Sequence, residues 1–151
     1  MLISIVVIFY NRKKFINRAL GSIIGQTCAD LDIVVVDDGS FESISNEVSH
    51  FHDPRVRYFR KENGGPASSR NLRIEQSAGE YIAFLDGDDV FLPTKIERMV
   101  QLLKEHDFPA CIATCGVGVV TLGNMLISMI KPRAYSVSTI VFPEVEVSLY
   151  G

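Results

Sequence analysis

Four short apolar runs, each ended abruptly by a polar cluster, constrain this chain more than any other feature. The runs are Leu2–Tyr10, Ile33–Val36, Val56–Phe59 and Tyr81–Leu85. Tyr10-Asn11 closes the first, Asp37-Asp38-Gly39-Ser40 the second, Glu62-Asn63-Gly64-Gly65 the third, and Asp86-Gly87-Asp88-Asp89 the fourth. Segments with helical spacing lie between them. Phe15, Ala19, Leu20, Ile23 and Ile24 mark one face, and Ile44, Val48 and Phe51 another. A third helix is expected from Pro66, a favoured first helical position, to just before Gly79, and Pro93 opens a fourth carrying Ile96, Met99, Val100 and Leu103. Strands this apolar, alternating with amphipathic helices, predict an α/β fold: a doubly wound, mostly parallel sheet with helices on both faces. Right-handed crossovers place every carboxyl strand end, with its polar cluster, on one edge. Open α/β sheets bind ligands in the crevice beyond that edge.

The fourth cluster carries the strongest chemical signal. Asp86-Gly87-Asp88-Asp89 packs three carboxylates into four positions directly after Tyr81-Ile82-Ala83-Phe84-Leu85. Like charges that close repel, and each carboxyl pKa rises unless a cation offsets the charge. Aspartate oxygens with no Cys or His nearby suit a hard divalent ion, and Mg²⁺ or Mn²⁺ usually reaches such sites with phosphate. A solvated acidic turn is the plain alternative for the cluster taken alone.

Composition excludes several other classes. The chain has 151 residues, enough for one domain with a sizeable core, and its 47% hydrophobic and 22% charged content is ordinary. A net charge of −3 and no Lys/Arg stripe leave no footprint for nucleic acid. Cys28, Cys111 and Cys115 follow no metal-site pattern, and His50 and His52 beside Asp53-Pro54 read as surface histidines. The opening run is followed by Asn11-Arg12-Lys13-Lys14 and lacks a basic segment before it, so it reads as a strand rather than a targeting sequence. Cys111–Ile130 contains no charged residue and is long enough to span a bilayer. Its glycines, and Leu122-Gly123-Asn124-Met125 as a two-residue turn, predict a hairpin instead. Ala110–Thr121, Met125–Ile130 and Val137–Phe142 are expected to form antiparallel strands.

Individual residues at the strand ends have two readings each. Asp38 is suited to accept a hydrogen bond from a nucleobase imide or amide, or to cap a helix beginning near Phe41, a role open to Ser40 as well. Asp37 suits the bonding of loop amides. Tyr10 offers a flat face for a base or simply ends a strand against the core. Gly64-Gly65-Pro66 lets backbone amides approach an anion at a helix start, and Arg70 lies one turn further on, within reach of a diphosphate.

Together these positions resemble the nucleotide-binding half of a family 2 glycosyltransferase with the GT-A fold. The matching pieces are Val6–Arg12, Ser22–Thr27, Asp32–Ser40, Asn63–Asn71 and Ala78–Asp89, in order over about residues 2 to 105. The resemblance implies a nucleotide-diphosphate sugar donor, a UDP-sugar first among them. Tyr10 would lie against the base and Asp38 would bond it. Asp86 would face the ribose and metal, Asp88 would coordinate Mg²⁺ or Mn²⁺, and Arg70 would complete the donor pocket. The reaction implied is inverting transfer to an acceptor hydroxyl of a glycan or lipid-linked acceptor, as in polysaccharide or lipopolysaccharide assembly.

The general base departs from that pattern. It belongs to the acceptor-binding half, and the only acids after Asp107 are Glu144 and Glu146, alternating with Val145 and Val147 as in a strand. The chain therefore divides into a donor-binding core, 1–105, and the start of an acceptor-side part, 106–151, expected to be incomplete. A non-catalytic nucleotide-sugar-binding fragment is the alternative function. A phospho-acceptor signalling domain fits poorly, since Asn11 rather than an acidic pair follows the first strand and no lysine occupies Cys111–Ile130. A cytoplasmic location is expected, with peripheral attachment to the inner membrane face left open although no basic amphipathic helix supports it. Association of the chain with itself also stays open.

Overall fold

The computed structural model describes residues 1–65, 69, 74 and 76–106, together with the backbone of three later strands at 117–120, 126–130 and 144–147. Strands β1 (Ile3–Phe9), β2 (Leu31–Asp37), β3 (Val56–Arg60) and β4 (Tyr81–Asp86) coincide with the four apolar runs. Helix α1 (Ile16–Ile24) follows β1 through one 3₁₀ turn, Lys13–Phe15; α2 (Ser45–Ser49) follows β2 and α3 (Lys95–His106) follows β4. Gly65, Ser69 and Ile74 are helical, in the segment expected to join β3 to β4.

The main sheet runs in the order β3-β2-β1-β4-β7, where β7 is Glu144–Val147, and each neighbouring pair is parallel. Strands β5 (Val117–Val120) and β6 (Leu126–Ile130) form a separate antiparallel pair, as the turn at Gly123-Asn124 predicts. The tail is not wholly antiparallel, because β7 extends the parallel sheet beside β4. The expected strand at Val137–Phe142 lies outside the described residues, as do Cys111 and Cys115. Among the described residues no helix is long and apolar enough to cross a membrane.

Alternation along β1 divides the core in two. Ile3, Ile5, Val7 and Phe9 face Ile16, Ala19, Leu20 and Ile23 of α1, with Ile44, Val48 and Ile96 in the same cluster. Val6 and Ile8 join Val34, Val36, Ile82 and Phe84 on the opposite face, where Ile74 packs. Both faces of β1 and β2 are therefore dry, which is why their sequences are continuous apolar runs. The chain moves outward from β1 to β3 and then returns to lay β4 on the other side of β1. The strand order thus reverses between β1 and β4, and the crevice beyond their carboxyl ends is the expected ligand position.

Candidate functional site

Register brings the polar clusters together. Phe9 stands opposite Asp37, Ile8 opposite Asp86, and Asp37 opposite Arg60, so the carboxyl ends of the first four strands are level. Tyr10, half exposed at 44%, leaves β1 at the switch point between Asp38 and the Asp86–Asp89 loop. Asn11 follows with a positive φ of 53°, a conformation Asn tolerates better than most residues. Its amide donates to Ser40 Oγ at 3.0 Å and its Oδ1 accepts the Phe41 N–H at 2.9 Å, which ties the first loop to the second.

The two aspartates of the second cluster have separate tasks. Asp37 is fully buried; its Oδ1 accepts the Ser40 N–H at 2.9 Å and its Oδ2 the Tyr58 hydroxyl at 3.1 Å. It holds the loop, as a carboxylate bonding loop amides should. These bonds also explain why no helix begins near Phe41. Residues 40 and 41 are fastened to Asp37 and Asn11, α2 starts only at Ser45, and it has no side-chain cap, so neither Asp38 nor Ser40 fills that role. Gly39 has φ of 75° and an added Cβ would lie 2.6 Å from the Asn63 nitrogen, so the third loop can close over the second only at a glycine.

Asp38 is 2% exposed. Its Oδ1 accepts Lys61 Nζ at 2.6 Å and the Gly64 N–H at 3.2 Å, and its carbonyl accepts Asn63 Nδ2 at 3.1 Å. Burial pushes the carboxyl pKa up, but the bonds from Lys61 and Gly64, with the Ser69 hydroxyl nearby, outweigh it and hold the group below the usual carboxylate range. The sequence reading missed Lys61. Register brings it there, which the sequence alone does not fix: parallel pairing of Asp37 with Arg60 puts the next residue of each strand side by side.

The fourth cluster is clamped from beneath by α1. Gly87 donates its N–H to the Ile8 carbonyl at 2.8 Å, and a Cβ there would collide with the Phe9 ring and lie 2.7 Å from that carbonyl. Arg18 Nη2 donates to the Asp88 carbonyl at 3.1 Å, and Ser22 Oγ accepts the Phe91 N–H at 3.1 Å. Buried Gln26 donates to the Leu92 carbonyl at 2.8 Å and accepts the Ile96 N–H at 3.0 Å, fixing the entry to α3. Held this way, Asp86 is half buried at the strand end and Asp89 is buried. The Asp88 carboxylate is 32% exposed, with Arg12 Nε 3.5 Å away. Among the described residues no three His, Cys, Asp or Glu side chains come together as a metal cage. Arg70 lies outside the described residues.

Comparison with known proteins identifies the family and agrees with the fold. The model of the family described as "Glycosyl transferase family 2" matches residues 4–131. The chain belongs to that family. An uncharacterized glycosyltransferase of Rickettsia bellii is 40% identical over 107 residues, which are 70% of this chain and 16% of that protein. One from Rickettsia typhi is 33% identical over 131 residues, 87% of this chain and 41% of the relative. The chain thus spans less than half the length of these curated relatives. Among solved structures, S. aureus TarS 1-349 in complex with UDP matches with TM-score 0.70 and 26% identity, covering 76% of this chain and 35% of that one. The same protein has been solved with UDP-GlcNAc. The mannosyltransferase PcManGT from Pyrobaculum calidifontis, solved with GDP-Man and Mn²⁺, matches with TM-score 0.61 over 79% of this chain and 35% of its own. At 22% identity that likeness speaks to the fold, which is GT-A.

Proposed function

We propose that this chain is the donor-binding part of an inverting glycosyltransferase that takes a nucleotide-diphosphate sugar, in first place a UDP-sugar. The observation that carries the reading is the meeting of Tyr10, Asp38 and the Asp86–Asp89 loop around the switch point between β1 and β4. UDP in the TarS structure, at 26% identity, supports the choice of donor. Residues 1–105 form the donor-binding core in this reading and 106–151 begin the acceptor side.

Each side chain has a distinct task. Tyr10 is exposed enough to stack on the base, and the buried Asp38 carboxylate would accept an N–H from the base edge. Asp86, at the level of the β1 end, faces the ribose and the metal. Asp88 has a partly exposed carboxylate and is the principal ligand for Mg²⁺ or Mn²⁺ in this reading. The donor chemistry supports this reading: Asp86 and Asp88 offer carboxylate oxygens only, as a hard divalent ion prefers, and two carboxylates would leave the remaining positions to diphosphate and water. Bound there, the ion would supply Lewis-acid stabilisation to the charge on the leaving diphosphate. Arg70, one helical turn beyond Pro66 in sequence, is assigned to the diphosphate side of the pocket. The acceptor is a hydroxyl of a glycan or lipid-linked saccharide.

The test is calorimetric titration of the purified chain with UDP, GDP and dTDP, each with and without Mn²⁺. Manganese-dependent binding of one nucleotide is expected, with UDP tightest. A folded chain that binds none of the three would overturn the reading.

A further inference from the structure

Among the described residues Lys61 is the lysine tied to the proposed base pocket, and its surroundings are unusual for a lysine. Its side chain is 16% exposed, and Nζ donates to Asp38 Oδ1 and to the Glu62 carbonyl, each at 2.6 Å. Lysine is rarely withdrawn from water without a paired charge. Its backbone N–H also bonds the Asp37 carbonyl at 3.0 Å, so the residue is fixed at both ends. The other groups facing Asp38 are the Gly64 N–H and the Ser69 hydroxyl, both neutral. Neighbouring Asp37 is occupied by Ser40, Tyr58 and, at 3.8 Å, Arg60 Nε. Lys61 is therefore the only cation bonded to Asp38 among the described residues.

We propose that Lys61 is a positioning residue of the donor pocket: it holds Asp38 as an oriented carboxylate, so that the pocket selects a base whose ring nitrogen carries an N–H. This inference rests on the donor reading above. An ionised carboxylate accepts only, so it suits the imide N–H of uracil and opposes the N3 lone pair of cytosine. A protonated carboxyl would donate to that lone pair and lose the distinction. Burial is the largest influence on Asp38 and pushes its pKa up; Lys61 is the first of the three partners that reverse the sign. Without the ammonium, the main opposition to burial is lost and the Asp38 pKa rises, so nucleoside binding weakens as pH falls.

The experiment measures UDP and CDP affinity in the presence of Mn²⁺ for wild type, Lys61→Met and Lys61→Arg from pH 5 to 8. Wild type should bind UDP with little dependence on pH and prefer it to CDP. Lys61→Met should bind UDP about tenfold more weakly at pH 5.5, the difference between a charge-assisted and a neutral hydrogen bond, with a smaller UDP-to-CDP ratio. Lys61→Arg should restore both the flat profile and the preference. Identical profiles for Lys61→Met and wild type would overturn the inference and leave the donor reading intact, whereas wild type that binds neither nucleotide removes both. If Lys61→Met does not fold, the ¹³C shift of the Asp38 carboxyl in wild type decides instead. A titration at or above the ordinary aspartate range would overturn the proposal.

Discussion

Replacing Asp32 by alanine should destabilise the fold while leaving nucleotide binding untouched, because Asp32 fastens the sheet at the edge opposite the site. It lies near the start of β2 and accepts from Ser4 Oγ on β1 at 2.7 Å, from Arg57 Nε and Nη2 on β3 at 2.9 and 2.7 Å, and from the Ala78 N–H before β4 at 3.1 Å. One carboxylate thus links three strands and the entry to a fourth. Breaking a buried pair costs about 3–5 kcal/mol and an exposed one at most about 1. Asp32 is 11% exposed but Arg57 is 39%, so water can rehydrate the freed guanidinium and the ion-pair share falls toward the lower figure. The exposed Ala78 N–H is rehydrated, but the fully buried Ser4 hydroxyl loses its acceptor, which adds roughly 1–2 kcal/mol. The expected total is about 2–3 kcal/mol, read as a lower urea midpoint at unchanged slope. The pH dependence has a definite sign. Burial raises the Asp32 pKa, but bonds from Ser4, Ala78 and Arg57 carry it below the usual value. Its contribution is therefore complete above the unfolded pKa of about 3.9 and is lost as pH falls through the folded value. The gap between wild type and Asp32→Ala should hold at pH 7 and begin to close below about pH 4. A loss under about 0.5 kcal/mol at pH 7, or a gap that persists in acid, would refute the reasoning.

Other substitutions separate the site's parts. Asp88→Ala should abolish the metal-dependent share of UDP binding with the urea midpoint unchanged, since its carboxylate is exposed and its structural bond is made by the backbone carbonyl; calorimetry with and without Mn²⁺ checks this. Asp38→Ala should weaken uridine binding without metal, and it should also lower stability by about 1–3 kcal/mol, because Lys61 loses its partner. Gly87→Ala should cost about 3 kcal/mol or more, as the added Cβ meets the Phe9 ring and the Ile8 backbone and neither can retreat from the strand; a thermal melt within 2 °C of wild type would contradict it.

How much of this was legible in the sequence depends on which physical property each inference needed. Periodicity and continuous apolar runs located β1 to β4, because strands covered on both faces leave no polar alternation to confuse. The turn at Gly123-Asn124 gave the β5–β6 pair. The place of β7 was not legible: four residues alternating Glu and Val fit either orientation, and pairing beside β4 is decided by partners far away in sequence. The expected cap near Phe41 failed for a related reason. Sequence shows which residues can cap, but Asn11, 30 positions upstream of Phe41, had already claimed that amide.

The division of labour among the aspartates was the least legible part and is the most informative. Asp37, Asp38, Asp86, Asp88 and Asp89 are chemically identical, and two of the three in the fourth cluster could exchange roles on sequence alone. Burial and partners separate them. Asp37 is fully enclosed by a tyrosine, a serine amide and an arginine, so its lone pairs are spent on the loop. Asp38 is almost as buried, yet its charge is matched by a single lysine just beyond the neighbouring strand β3, an arrangement that favours its ionised form. Asp88 is held by its backbone carbonyl, which leaves the carboxylate outside with only a loosely placed guanidinium beside it. A loop held by its backbone can exchange the partner of its side chain at little cost to the fold, whereas a buried ion pair cannot. On that ground, substitutions at Asp88 should register in binding alone, and substitutions at Asp38 or Lys61 in both binding and stability.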